Sequence, residues 1–276
     1  MNALKTVFLL GLLSSILVIG GGAAAGEQGL WIGLGLAVVM NFFSYFFSEK
    51  IALTSSGAQP VTSESHPQIW ARLAPMTQRL ADRMKIPMPR LWVTPEPSPN
   101  AFATGRNPAN ASVAVTAGLL ELMNDREIEG VVAHELGHVL NRDILISSVA
   151  ATIASAITFL AQFALFFGGG RRHEDDDHGS AAGGILLFLA SLLIAPMIQM
   201  AISRTREFSA DAAAAKYVGS PNGLISALRR LDGYARQIPL DASPATAHMY
   251  IINPLKGLFS THPSTEERVA RLQRLG

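Results

Sequence analysis

The 276-residue chain contains no cysteine. Disulfides and thiolate metal ligands are therefore excluded, and histidine and the carboxylates remain as the strong ligand types. Charge is also scarce: 22 Lys and Arg stand against 21 Asp and Glu, 16% of the residues, for a net charge of +1. That balance is too near neutral for a nucleic-acid binder, and no stretch interleaves basic with aromatic residues. What fills the chain instead is apolar. With 49% hydrophobic residues and a mean hydropathy of +0.28, it reads as a membrane protein rather than an ordinary soluble domain.

Four uncharged runs are long enough to cross a hydrocarbon core of about 30 Å: Thr6 to Ala25, Gly29 to Ser48, Ile144 to Gly170 and Ser180 to Ser203. Pro196 interrupts the fourth, which a membrane helix tolerates where neighbours satisfy the freed carbonyl. Only Gly26, Glu27 and Gln28 separate the first two runs, so together they read as a tight hairpin. The alternative for the first run is a cleaved signal peptide, with Lys5 as a weak basic start and Ala23-Ala24-Ala25 as a small-residue cleavage site. Cleavage there leaves everything beyond Lys50 on the same side. Lys5, Lys50, Arg142, Arg204 and Arg206 fall on one side of the spans and Arg171 and Arg172 on the other, so the majority side is cytoplasmic.

The expected organisation is a transmembrane hairpin at 1–49, a first catalytic segment at 50–143, a second transmembrane hairpin at 144–203 and a second catalytic segment at 204–276. The two polar segments share the cytoplasmic side, and together they make roughly 170 residues, a normal size for one domain. In the first, His66 to Lys85 places Ile69, Trp70, Leu73, Met76, Leu80 and Met84 on a helical period. Arg90 to Thr94, Ala101 to Thr104 and Ser112 to Thr116 read as short strands of a small sheet. Asn124 with Glu127 makes a capping box for a helix from Asp125 to Asn141. The second segment reads as helical throughout. Arg204 to Val218 ends at Gly219, Ser220-Pro221 opens a helix to about Gln237, and Ser264 with Glu267 caps a terminal helix ending near Leu275. There is no internal repeat. The low-complexity loop Gly168 to Gly184 sets His173 and His178 among acids, a pattern more typical of a solvated loop than of a metal site.

The central helix carries His134-Glu135-Leu136-Gly137-His138. Histidines four positions apart project from one helical face and can clamp zinc between them, while Glu135 is placed to reach a water without ligating the metal. A motif this short also arises by chance, so its context decides. A hydrolytic zinc site needs a third protein ligand, and Glu207 in Arg204-Thr205-Arg206-Glu207-Phe208-Ser209-Ala210-Asp211 is the best candidate. Asp211, one turn on, faces the same way and can accept the free N–H of a ligand histidine. Standing alone, the pair would be an ordinary solvated charge pair. His138 lies six residues from Ile144, roughly 9 Å along a helix, and Glu207 four from Ser203, roughly 6 Å, which puts the metal just above the bilayer.

On these residues the chain resembles the HtpX heat-shock membrane metalloproteases, which are related to the CAAX prenyl proteases and classed among the gluzincins. The resemblance runs through the N-terminal hairpin, Pro99 to Gly105, His134 to His138, the second hairpin, Glu207 to Asp211, and Phe259-Ser260-Thr261-His262-Pro263 followed by Glu267-Arg268. Ser264 stands where the family often has a second proline. The resemblance implies a mainly α membrane protein with four transmembrane helices in two hairpins and a gluzincin-type α+β catalytic domain built on a small β-sheet and the HExxH helix. It implies one Zn2+ per subunit held by His134, His138 and Glu207, with Glu135 as catalytic base. Proteolysis of aberrant proteins of the bacterial inner membrane, as stress-responsive quality control, is the role it implies. His262 and Arg268 match family positions assigned to transition-state stabilisation; alternatively, His262 caps a local turn and Arg268 pairs with a nearby acid. Asn100, Ala101, Phe102, Ala103, Thr104 and Gly105 match a strand on which substrate is laid, or they simply close a sheet edge. Polypeptide substrates and the lipid bilayer are the expected partners, with no nucleic acid. Self-association or contact with other quality-control proteases also fits the family.

Two other readings compete. A site-2-type intramembrane protease also uses HExxH, with an Asp ligand that Leu231-Asp232-Gly233 superficially supplies. Arg229, Arg230 and Arg236 around that tripeptide, and Arg126, Glu127, Glu129, Arg142 and Asp143 around HExxH, argue that neither segment is membrane-embedded. A non-catalytic membrane chaperone or scaffold with structural zinc would need a fourth protein ligand in place of Glu135.

Overall fold

The computed structural model describes residues 2–146, 149, 204–237, 251 and 263–276. Most of the third and fourth runs, the Gly168 to Gly184 loop with His173 and His178, and His262 lie outside the described residues.

Helix α1 runs Asn2–Ser55 with a break at Ala25 and Gly26. Gly26 takes φ 61° and ψ −141°, a conformation open to glycine, and the chain reverses there. The two limbs then run antiparallel: Asn41 Nδ2 donates to Ser14 Oγ at 2.8 Å, and a Cβ on Gly29 would fall 1.8 Å from the Gly21 carbonyl oxygen. Only paired glycines allow so close an approach. Among the described residues one helix, Ala25–Ser55 with 31 residues, is long and apolar enough to cross a membrane, and Thr6–Gly22 is apolar but shorter. The second limb continues past position 49, where the sequence reading closes the hairpin, because Leu53 packs with Phe102 and Ala114 of the sheet.

The sheet contains β1 (Gln59–Pro60), β2 (Arg90–Thr94), β3 (Ala101–Asn107) and β4 (Asn110–Thr116), in the order β1-β2-β4-β3. β2 and β4 are parallel, whereas β3 and β4 form an antiparallel pair in which Ala103 faces Val113. Among the described residues β3 is therefore an edge strand, and it extends three residues beyond Thr104 because the hairpin carries the ladder as far as Asn107 opposite Asn110.

Around the sheet stand α2 (Pro67–Met84), the short α3 (Ala117–Leu122) and α4 (Asp125–Leu140). The chain's second segment supplies α5 (Arg204–Val218), α6 (Asn222–Gln237) and α7 (Thr265–Gln273). The capping box forms as expected at α4, with Asn124 accepting from the Arg126 and Glu127 amides and Glu127 reaching back to the Asn124 amide. α6 starts one residue later than Pro221, with Ser220 Oγ accepting from the Asn222 amide at 3.3 Å. α4 is buried nearly all round, from Gly130 to Gly137 without interruption, which is the signature of a helix at the centre of a core. Leu73, Leu80, Val113, Leu136, Leu224 and Leu228 belong to that core, so both polar segments contribute to it.

Candidate active site

α4 brings His134, Glu135 and His138 to one place, and α5 brings Glu207 to meet them. The approach depends on small residues at the crossing. A Cβ on Gly137 would lie 3.0 Å from Ala210 Cα, and Ala210 and Ala214 are fully buried against α4. Bulkier side chains there would hold the helices apart.

His134 Nε2 and His138 Nε2 are 3.3 Å apart, His138 Nε2 lies 3.4 Å from Glu207 Oε1, and His134 Nε2 lies 3.7 Å from Glu207 Oε2. Three ligand atoms, one from each residue, lie within 4.8 Å of one another. Tetrahedral zinc with bonds of about 2.0–2.1 Å spaces its ligand atoms about 3.4 Å apart, so the donor types fit such an ion and the His134–His138 and His138–Glu207 separations match it.

Each histidine has a buried carboxylate behind it. His134 Nδ1 is 2.9 Å from Asp211 Oδ1, and Arg268 forks onto the same Asp211 through Nη2 at 2.7 Å and Nε at 2.9 Å. Arg268 is only 1% exposed, and its Nη1 donates to the Ile251 carbonyl at 2.7 Å. It thus meets an acid, and it also lies against the donor set, with Nη2 3.4 Å from the His134 ring nitrogens and Nη1 3.7 Å from Glu207 Oε2. His138 Nδ1 is 3.2 Å from Asp143 Oδ2, and Arg206 Nη1 stands 3.8 Å from Asp143 Oδ1. Asp143 and Arg206 had no place among the site residues read from the sequence. The available signal was a carboxylate five positions after the second histidine, at the end of the same helix.

Glu135 is buried beside the two histidines, and its Oε2 accepts from the Ala103 amide of β3 at 2.8 Å. Burial pushes its carboxyl above the usual range, outweighing the pull of His134 and His138. Asp211 goes the other way. Burial alone would raise it, but Arg268 and the hydrogen bond to His134 bring it down to about 2. At His138 burial disfavours the charged ring, yet the Asp143 hydrogen bond and the charges of Glu207 and Glu135 prevail and raise it to about 9. The cluster therefore favours a cation.

The strand residues divide by direction. The Asn100 carbonyl accepts from the Thr116 amide and its Oδ1 accepts from the Ile251 amide at 3.1 Å, while Phe102 packs on Leu53 away from the histidines. Ala101 and Thr104 are buried, and Gly105 takes φ 131° where a Cβ would strike the Asn110 carbonyl.

Residues 67–275 match the model of Peptidase family M48. The chain belongs to that family. It is a metalloprotease. Among M48-like relatives, it is 47% identical over 283 residues to a Protease HtpX homolog of Pelotomaculum thermopropionicum, covering 100% of this chain and 99% of that one. A Protease HtpX homolog of Nostoc punctiforme is 50% identical over 283 residues, covering 99% and 96%. In fold the chain is similar to S. mikatae Ste24p, with a TM-score of 0.54 and 19% identity over 98% of this chain and 64% of that one. The M48 match spans both polar segments, the same two that build the core and the donor set.

Proposed function

We propose that the chain is an integral membrane zinc endopeptidase in which His134, His138 and Glu207 hold one Zn2+ per subunit and Glu135 is the catalytic base. The observation that carries this reading is the His134–His138–Glu207 donor set, with Glu135 adjacent and tied to the Ala103 amide of β3. When bound, the zinc supplies Lewis-acid polarisation of the scissile carbonyl and the attacking water. Glu135 takes a proton from that water and delivers it to the leaving amine, a double duty suited to a carboxyl whose pKa burial has raised. Its Oε2 is steadied by the Ala103 amide. That amide points off the side of β3 that no strand among the described residues pairs with, and amide directions alternate along a strand, so Ala101, Ala103 and Gly105 face the edge where an extended substrate adds by backbone pairing, while the Ala103 amide itself stays on Glu135. Backbone pairing reads little side-chain identity, which suits diverse unfolded segments. Asn100 anchors residue 251, and Arg268, which bonds Asp211 and lies 3.4 Å from the His134 ring nitrogens and 3.7 Å from Glu207 Oε2, holds positive charge beside the donor set, where transition-state stabilisation would need it.

The membrane assignment rests on the apolar α1 hairpin together with the two long apolar runs between 144 and 203. Four spans in two hairpins, with segments 50–143 and 204–276 joined on the cytoplasmic face of a bacterial inner membrane, place the peptidase at the bilayer surface. Its substrates are then misfolded or damaged membrane proteins. The test uses full-length protein in detergent, reloaded with zinc, and an unfolded polypeptide. Glu135→Gln should lower cleavage by about 10²–10⁴-fold while zinc content stays the same. Glu207→Ala should lose zinc, whereas Glu266→Ala, exposed on α7, should keep it. Undiminished cleavage by Glu135→Gln rules the assignment out.

A further inference from the structure

A neutral imidazole has one lone pair to give, and a metal ligand must keep the proton on its other nitrogen. A carboxylate that accepts that proton fixes both the tautomer and the ring orientation. For His134 the acceptor is Asp211, one turn along α5 from Glu207. His138 has an acceptor of a different origin. α4 ends at Leu140, Arg142 takes φ 59° in the left-handed region, and the chain turns back so that the Asp143 amide donates to the His138 carbonyl at 2.9 Å. The turn delivers the Asp143 carboxylate, 2% exposed, to within 3.2 Å of His138 Nδ1. Opposite it stands the Arg206 guanidinium, 3.8 Å away, whose Nε and Nη1 are buried and have no hydrogen-bond partner among the described residues. At that separation Arg206 balances charge without competing for the carboxylate oxygens. Arg268, by contrast, takes both oxygens of Asp211.

We propose that Asp143 is the positioning residue of His138, as Asp211 is of His134, so that each histidine is held by its own buried carboxylate and each carboxylate is faced by its own arginine. The two holds differ in length. His134 Nδ1 lies 2.9 Å from a carboxylate doubly bonded to Arg268, and His138 Nδ1 lies 3.2 Å from one that Arg206 faces at 3.8 Å. His138 is also the more open ring, with 16% of its side chain exposed against 2% for His134. His138 is thus the adjustable ligand of the pair, and Asp143 limits its movement.

The proposal rests on His138 being a metal donor, and the experiment separates the two. Full-length protein is stripped of metal and titrated with zinc against a chromophoric chelator. Asp143→Asn should weaken zinc binding by about 10–100-fold while the unfolding midpoint of the metal-free protein barely moves. Asp232→Asn, which removes an exposed pair with Arg236, should bind zinc as the native chain does. A purely structural Asp143 would do the reverse, lowering the midpoint and leaving the zinc affinity of the folded fraction unchanged; that result overturns the proposal. If Asp143→Asn does not fold, the native zinc-loaded protein decides. With ¹⁵N-labelled histidine, the His138 Nδ1 proton should be protected from exchange, and exchange at the rate of a free imidazole overturns the proposal. Native zinc affinity in His138→Ala brings down the ligand reading itself. Loss of zinc in His138→Ala with native affinity in Asp143→Asn brings down only the role given to Asp143.

Discussion

Glu135 and Asp211 are both buried carboxylates, and their surroundings push them in opposite directions. Glu135 accepts one backbone hydrogen bond and stays above its ordinary range, fit to take up a proton and release it. Asp211 is gripped by Arg268 and His134 and stays charged, fit to hold a ring in place. The difference is measurable. With a folded value of about 2 against an ordinary 3.8, Asp211 lets the unfolded chain bind a proton at higher pH than the folded one. Its contribution is complete above the unfolded value and is lost as pH falls toward 2, an effect of about 2 kcal/mol. Urea unfolding of the metal-free protein between about pH 5 and pH 3 should therefore show a shallower fall for Asp211→Asn than for the native chain, and equal slopes would contradict this account. At this scale the grouping of His134, His138 and Glu207 is legible in the sequence, because each lies on a helix whose period fixes its direction. Asp143 and Arg206 are not, since their meeting depends on the left-handed turn at Arg142 and on how closely α5 approaches α4.

That approach is a property of the elements. α5 is rich in alanine, and it meets α4 where Gly137 has no side chain, so the two backbones come close enough for Glu207 to join the histidines. Gly137→Ala puts a Cβ 3.0 Å from Ala210 Cα and 3.1 Å from its carbonyl oxygen, so one helix must shift by a few tenths of an ångström. The strain, on the order of 1–3 kcal/mol, is partly offset by the 0.5–1 kcal/mol or so that alanine gains over glycine within a helix. Stability should therefore fall by at most about 2.5 kcal/mol while zinc affinity falls. Gly233→Ala, in open space on α6, should instead stabilise the protein by up to about 1 kcal/mol and leave zinc binding alone. Chelator competition and denaturant unfolding on both variants check this, and unchanged zinc affinity in Gly137→Ala would remove the steric argument. Helices α2, α4, α5, α6 and α7 are legible from period and caps, and β2, β3 and β4 from Pro, Gly and Asn punctuation. The two-residue β1 and the six-residue α3 are too short to carry a period; what makes them is pairing with β2 and the Thr116 cap.

At the scale of the whole molecule the α1 hairpin is fastened to the sheet that carries the proposed substrate edge. Glu49 Oε1 accepts from Arg90 Nη2 of β2 and from Ser112 Oγ of β4, each at 2.5 Å, and Arg106 of β3 lies over the Phe46 ring at 5.5 Å. Leu53 completes the joint against Phe102 and Ala114. The apolar runs and the glycine break between the limbs are legible in the sequence. This joint is not, because Glu49 reads as the polar end of a span and its partners Arg90 and Ser112 lie on two different strands. If the hairpin is embedded in a bilayer, the joint sets the height and angle of the β3 edge relative to the lipid. A substrate tethered in the membrane has a fixed reach and depends on that setting, whereas a free polypeptide can adjust to any height. Glu49→Ala leaves Arg90 and Ser112 without their shared acceptor and loosens the joint, but it touches nothing within the donor set. In proteoliposomes the variant should therefore cleave a membrane-anchored substrate several-fold more slowly than the native chain, and the same sequence without its anchor at close to the native rate. An equal loss on both substrates would mean that Glu49 supports the sheet alone, and the hairpin would then serve as an anchor without aligning the site.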